Sequence, residues 1–446
     1  MRTLISPKDS IIKLAEMYPF ELTEDNLSCV FNNSAEPVQY DADREYKLSA
    51  FNYICVGNKC VSIYNTLYSS LALLSFEEYK NIEAISKCSN EFISEMIQDG
   101  FWVKKRTDEK AFFLDCSAFL NDICDGITLT LAVTHNCNAR CSYCYEQGII
   151  PSSMNEDIIN DVVNFISTLG NGIRINWFGG EPLLNTKAID EISNRLHEKN
   201  IDFTSYLITN GSLIDDEMVK EMIEVWNVKD VQISIDGQEE TYLRVKNYKK
   251  SDDMLYYKIL GNIIKLAKAG IFVHIRINIS HDNIKEVLGL QKELENVFSQ
   301  YNNIIIYPAF VSGTGDPFSE DEMIELVSEM MMNTRDVSKL TADSKLFSLP
   351  RLHSCAVHSK NSFTVDSDGF IYKCEHHVGD KEESIGNVCR FDLINRNVLN
   401  SIPDHCKDCV FLPKCMGGCK ENEASGDIPC FIEKYIIIGY INCITS

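Results

Sequence analysis

The chain has 446 residues, and 42 basic against 65 acidic side chains give a formal net charge of −23. That length implies two to four domains with material for a large core. The acidity argues against a surface for phosphate backbones and leaves room for a basic peptide partner, though solubility alone also accounts for it.

Residues 1–120 form one predicted unit, whose first forty residues carry no interpretable pattern. The opening MRTLISPKDSIIKLAEMYPF has no basic stretch leading into an apolar core and cleavage site, and no segment reaches membrane-span length. A cytoplasmic protein is expected, with neither membrane nor nucleic acid as partner. Phe51 to Val56 and Cys60 to Tyr64 read as a hairpin around Gly57-Asn58, followed by helical Phe76 to Ile85 and Asn90 to Gln98. Gly100 to Val103 then returns as a strand.

Residues 121–317 alternate strands with helices. The predicted strands are Ile127 to Val133, Ile173 to Phe178, Thr204 to Thr209, Val231 to Ile235, Phe272 to Ile279 and Ile304 to Ala309. Between them Asp157 to Leu169, Thr186 to Glu198, Asp215 to Trp226, Leu255 to Ala269 and Asn283 to Gln300 repeat apolar residues at helical steps. Such units build an α/β fold with a parallel sheet and right-handed crossovers, as an open partial barrel or a doubly wound sheet. An acidic helical bridge follows over 318–346, and residues 347–446 are dense in cysteine. In a reducing compartment the 18 cysteines of the chain are better read as metal ligands than as disulfides.

Cys137, Cys141 and Cys144, spaced C-x3-C-x2-C just after the first of these strands, give one thiolate fewer than a [4Fe-4S] cube has irons. The open iron suits a small molecule with adjacent amino and carboxylate groups. Zinc with an open position is the competing reading. Later strand ends carry Phe178-Gly179-Gly180-Glu181-Pro182, Thr209-Asn210-Gly211 and Ser234-Ile235-Asp236-Gly237. The carboxyl ends of barrel strands are where ligands bind. A glycine pair permits close backbone approach, and Glu181 can accept from an ammonium.

In residues and spacing this resembles the radical S-adenosylmethionine (SAM) superfamily, over about residues 127 to 446. The resemblance implies a partial (β/α)6 TIM barrel, a SAM-binding [4Fe-4S] cluster on Cys137, Cys141 and Cys144, and SAM contacts from Tyr143, Gly179, Gly180, Glu181, Thr209 and Asn210. Ser234 and Asp236 match the family's ribose-side motif, and Arg244, Arg276 and Asn278 are candidates to pair with the SAM carboxylate and order the site. The C-terminal pattern is Cys355-x13-Gly369-x4-Cys374, then Cys406-x2-Cys409-x5-Cys415-x3-Cys419, then Cys430. It resembles the SPASM domain, with a zinc ribbon as competitor. That implies two auxiliary [4Fe-4S] clusters: one on Cys355, Cys374 and Cys419, the other on Cys406, Cys409, Cys415 and Cys430. Seven thiolates serve eight irons, so the first auxiliary cluster is one ligand short, and Cys389 or Cys443 is a candidate to fill it. Glu375 stands where sulfatase-maturing relatives place an acidic base. Cys29, Cys55, Cys60, Cys88, Cys116 and Cys124 read as ordinary buried thiols, and His135, His376 and His377 are assigned no iron.

The small α+β N-terminal unit resembles the leader-peptide recognition domain of maturases that modify ribosomally made peptides. The implied activity is hydrogen abstraction from a precursor peptide with a leader, closing a cysteine thioether, with electrons from a small donor such as ferredoxin or flavodoxin. Formylglycine formation in a sulfatase, carbon–carbon cross-linking or epimerisation fits the same motifs, and a non-catalytic metal scaffold is the reading from another class.

Overall fold

The computed structural model describes residues 2–5, 45–82, 87–123, 126–250, 253–313, 315–333, 351, 355–390, 392–393, 402–427 and 430–446. Most of the first forty residues, Cys29, Cys124 and the second half of the 318–346 bridge lie outside them. Ahead of the barrel come β1 (Arg2–Ile5), β2 (Tyr46–Leu48), β3 (Asn52–Val56), β4 (Val61–Asn65), β5 (Ser70–Leu74) and β6 (Trp102–Lys104). β3 and β4 form the expected hairpin, and the sheet continues in the order β1-β5-β4-β3, all antiparallel. Helices Phe76–Asn81 and Asn90–Gln98 start at Ser75 and Ser89, whose hydroxyls accept from Glu78 N and Phe92 N and so satisfy free amides of the first turn. They pack Ile82, Ile93 and Met96 against Val61, Ile63 and Trp102 in a separate small core.

The next six strands are β7 (Thr128–Thr134), β8 (Ile173–Gly179), β9 (Phe203–Thr209), β10 (Val228–Ser234), β11 (Phe272–Ile279) and β12 (Ile304–Phe310). They pair in parallel in their chain order. A doubly wound sheet would reverse direction partway; this order is that of a partial (β/α)6 barrel. Along the strands Ile175, Trp177, Leu207, Ile233, Ile275 and Ile277 are fully buried in the main core, while the alternating Asn176, Tyr206, Gln232, Ser234 and Arg276 are only half-buried. The bore is therefore polar: Tyr206 and Tyr307 hydroxyls both donate to Gln232 Oε1.

The barrel sheet does not stop at β7. β13 (Ser362–Val365) pairs with it in parallel from Ser362↔Thr128 to Val365↔Leu131, and β14 (Phe370–Tyr372), β15 (Gly386–Asn387) and β16 (Asp392–Leu393) follow antiparallel. The cysteine-rich segment is thus fastened to the barrel edge nearest the Cys137 loop. Helix Ile432–Thr445, absent from the sequence reading, runs against helix Glu320–Asn333 and against the first sheet. Glycine lies at two of its close approaches: a Cβ at Gly57 would stand 2.3 Å from Thr445 O, which excludes a side chain there, and one at Gly439 would be a tight 3.1 Å from Ser328 N. Buried Lys414 donates to buried Ser69 Oγ at 2.6 Å, a further tie between the two ends of the chain. Among the described residues no helix is long and apolar enough to cross a membrane.

Candidate active site

β7 ends at Thr134, and the loop that follows carries the first three cysteines. Its backbone is held from two sides. Arg140 N donates to Lys246 O (2.9 Å), Ser142 N to Val245 O (3.2 Å), and Lys249 N to Asn138 O (2.8 Å). Asn210 Nδ2, after β9, donates to Asn138 Oδ1 (2.8 Å), and Asn138 Nδ2 donates to Ser212 Oγ (2.9 Å). Cys137, Cys141 and Cys144 lie close enough to influence one another's ionisation. Burial pushes all three thiols up, Cys137 to about 11. Such thiols stay protonated near neutral pH unless a cationic centre draws off the protons, so the trio fits an iron cluster.

The glycine pair has a reason that the sequence reading did not contain. Gly179 has φ 132°, a conformation suited to glycine, and a Cβ there would lie 2.1 Å from Thr134 O. A Cβ at Gly180 would lie 2.5 Å from Asn136 O. Both turns approach so closely because Gly180 N donates to Thr134 O (2.9 Å) and Glu181 N to Asn136 O (2.8 Å). The pair lets the β8 turn fit beneath the cysteine loop. Gly180→Ala must part these loops, and we expect it to cost about 2 kcal/mol or more in thermal or denaturant unfolding, with weakened SAM binding in calorimetry.

Glu181 is buried, which pushes its carboxyl up, while Thr209 Oγ1 (2.6 Å), Asn210 N (2.8 Å) and Leu183 N (3.2 Å) donate to it and favour the charged form. Thr209, Asn210 and Glu181 are therefore one hydrogen-bonded unit at neighbouring strand ends.

A second unit joins β10 and β11 to the cysteine loop. Tyr143 Oη donates to Asp236 Oδ2 (2.6 Å), and Asn278 Nδ2 donates to Asp236 Oδ1 (2.8 Å) and to Tyr143 Oη (2.9 Å). At its centre is Lys246, which sequence reasoning missed. Its Nζ lies 2.8 Å from Asp236 Oδ2 and donates to Tyr143 Oη (2.8 Å) and Ser234 Oγ (2.7 Å), with side-chain exposures of 3% for Lys246 and 1% for Asp236. Burial alone would lower the ammonium's pKa; Asp236, then Tyr143 and Cys141, outweigh it, and the net shift is upward. Arg244, on the same helix Glu239–Lys246, is exposed and does not join this unit. Two residues separate a surface position from a buried one on a helix, so the basic group that enters the site is Lys246. Arg276 sits in register with Ser234 on the neighbouring strand, and its Nε is buried without a hydrogen-bond partner. It lines a cavity of about 180 Å³ together with Phe310, Phe318, Asp427, Cys430 and Tyr435.

Residues 131–294 match the family model described as Radical SAM superfamily. That segment is a radical SAM domain. The chain is an enzyme, and the thiol trio and its braced loop fit the SAM and [4Fe-4S] cluster that such a domain implies. It is 24% identical over 331 residues to a cysteine-type anaerobic sulfatase-maturating enzyme of Clostridium perfringens, covering 64% of this chain and 86% of that one. An uncharacterized protein of Methanocaldococcus jannaschii is 35% identical over 113 residues, 25% of this chain and 39% of that protein; the chain thus spans well under half of that relative's length. Among solved structures, native anSMEcpe with bound AdoMet superposes with a TM-score of 0.55 at 18% identity, covering 71% of this chain and 95% of that one, a likeness of fold.

Beside the radical SAM domain the C-terminal cysteines gather in two places. Cys406, Cys409, Cys415 and Cys430 are near neighbours: burial pushes Cys406 up to about 11, Cys409 and Cys430 adding to it, while the bond from Cys415 brings Cys430 down to about 6. In the other place burial pushes Cys374 up to about 12, with Glu375, Glu421 and Cys355 adding to it. Cys419 directly precedes helix Lys420–Ser425, which carries Glu421. The turn Glu375–His377 reaches the cysteine loop of the radical SAM domain, where His376 stacks on Tyr145 with ring centroids 4.2 Å apart. Burial raises the pKa of the Tyr145 hydroxyl, and Glu375, exposed on this turn, adds to it.

Proposed function

We propose that this enzyme is a peptide maturase that removes a carbon-bound hydrogen from a ribosomally made peptide and closes a cysteine thioether. The observation that carries this reading is the Tyr145–His376 stack, which joins the Cys144 loop to the turn bearing Cys374 and Glu375. When bound, SAM and its cluster supply the 5′-deoxyadenosyl radical, the difficult part of the chemistry. The chain's own residues do the rest. Glu181 and the Asp236–Lys246 unit orient the nucleotide, and Glu375 accepts the proton of the substrate thiol. Cys355, Cys374 and Cys419, and Cys406, Cys409, Cys415 and Cys430, would hold two auxiliary [4Fe-4S] centres, which would give the surplus electron a way out to a small carrier such as ferredoxin. The N-terminal unit docks the leader. A peptide substrate is in keeping with the anSMEcpe structure that holds AdoMet and a Cp18Cys peptide, with a TM-score of 0.55.

Formylglycine formation is the second reading, favoured by the alignment to the sulfatase-maturating enzyme over most of that protein's length. Mass spectrometry of a cysteine-bearing peptide encoded beside this chain separates the two after anaerobic turnover. A thioether loses two hydrogens and keeps its sulfur; a formylglycine made from cysteine loses the sulfur and reacts with hydrazides. The proposal fails if neither product forms while SAM is cleaved in the peptide's presence. Cys406→Ala is expected to abolish the peptide product yet leave measurable 5′-deoxyadenosine, because Cys406 belongs to the electron exit and not to the SAM loop.

A further inference from the structure

Seven thiolates leave the Cys355–Cys374–Cys419 set one donor short of a cube. The two cysteines that the sequence offers for the gap lie elsewhere. Cys389 is exposed, with its thiol against Asp161 and its N–H on Asn387 Oδ1. Cys443 is on helix Ile432–Thr445, and its Sγ donates to Ser328 O at 3.6 Å.

What does stand beside Cys374 is an imidazole. Cys374 Sγ, a ring nitrogen of His377 and a carboxylate oxygen of Glu421 all lie within 4.8 Å of one another. His377 ends the turn that begins at Glu375, with its backbone N–H on Cys374 O (3.2 Å), so the ring is carried by the same turn that carries the thiol. Its Nε2 lies 3.0 Å from Glu421 Oε1, and its Nδ1 lies 3.7 Å from Glu383 Oε2. Glu421 is two residues past Cys419, so the ring bridges the segments that carry two of the three thiolates. Proteins orient a metal-binding imidazole through a carboxylate on its other nitrogen; here Glu421 holds Nε2, and Nδ1, whose contact with Glu383 is longer, is the nitrogen left for iron. The quartet of Cys406, Cys409, Cys415 and Cys430 has four thiols of its own and no such shortage.

We propose that His377 supplies the fourth ligand of the first auxiliary [4Fe-4S] centre. This rests on the two-centre reading above. It fills the place that three thiolates leave open, and a neutral donor there gives the centre a higher reduction potential than a fourth thiolate would.

The test uses the full-length chain with Cys137, Cys141 and Cys144 all changed to alanine, so that only auxiliary centres are seen. After reconstitution and reduction, pulsed EPR is expected to show the hyperfine coupling of a directly bound nitrogen, which changes when the protein is grown on 15N-histidine. His377→Ala loses that coupling. His377→Cys loses it too, keeps the iron content, and shifts the midpoint potential downward, which separates ligation from a merely structural role. Two cubes with no nitrogen coupling, or a coupling that persists in His377→Ala, overturn the proposal. So does a single zinc ion held by Cys374, His377 and Glu421. Iron and sulfide for only one cube in this background overturn the two-centre reading itself, a result distinct from the loss of His377 alone.

Discussion

Cys141→Ala is expected to reduce 5′-deoxyadenosine formation from SAM and dithionite to the level without enzyme, and to lower bound iron by about four atoms per chain. Cys141 is the middle thiol of the trio, it neighbours Lys246 and Asp236, and both its flanks are pinned by main-chain bonds to helix Glu239–Lys246. The loop itself survives the change, because those bonds come from Arg140 and Ser142 and not from the thiol. The variant is therefore expected to fold, and once both proteins are stripped of iron its melting temperature is expected to match that of the parent chain. Ultraviolet-visible and Mössbauer spectra of the two proteins, read beside the SAM cleavage assay, decide the matter. A Cys141→Ala protein that still cleaved SAM would show that the reactive cluster is held elsewhere.

How much of this was legible beforehand depends on how far apart the interacting residues lie in the chain. The six barrel strands are covered by helices and carry apolar runs such as ITLTLAV and IIIYPAF, so their existence followed from the sequence, whereas those runs left a partial barrel and a doubly wound sheet both open. The cysteine sets are local spacings and were equally plain. Helix Ile432–Thr445 was not, because IEKYIIIGYINCIT is apolar on every side, rich in β-branched residues and interrupted by glycine. Tertiary packing overrides that propensity: Ile436, Ile437, Ile438 and Ile441 are all buried. The meeting of His377 with Glu421 joins residues 44 apart, and nothing in either segment announces the other. Gly179 and Gly180 were recognised, but the carbonyls they make room for, Thr134 O and Asn136 O, belong to a different loop. Lys246 stands in no motif, and only the helix phase it shares with Tyr242 and Val245 turns it inward while Arg244 stays exposed.

Lys246→Met is expected to destabilise the protein by about 3–5 kcal/mol, the cost of breaking a buried ion pair from one side. It removes the cation from Asp236, whose carboxylate is fully buried, and it withdraws the donor to Ser234 Oγ and Tyr143 Oη. Asp236→Asn strands the ammonium instead and should cost a similar amount. In the double variant both buried charges are gone, so its loss should fall well short of the sum of the two singles; chemical denaturation of the four proteins measures that coupling. Function separates the roles further. Tyr143 sits between Cys141 and Cys144, so taking one of three partners from its hydroxyl loosens the cysteine loop, and Lys246→Met is expected to lower SAM affinity and 5′-deoxyadenosine yield together. Lys246→Arg keeps the charge but brings a larger planar head into a site sized for an ammonium, and it should recover stability more than activity. If Lys246→Met unfolds no more easily than the parent protein, the buried pair is not what fixes the ends of β10 and β11 to the cysteine loop.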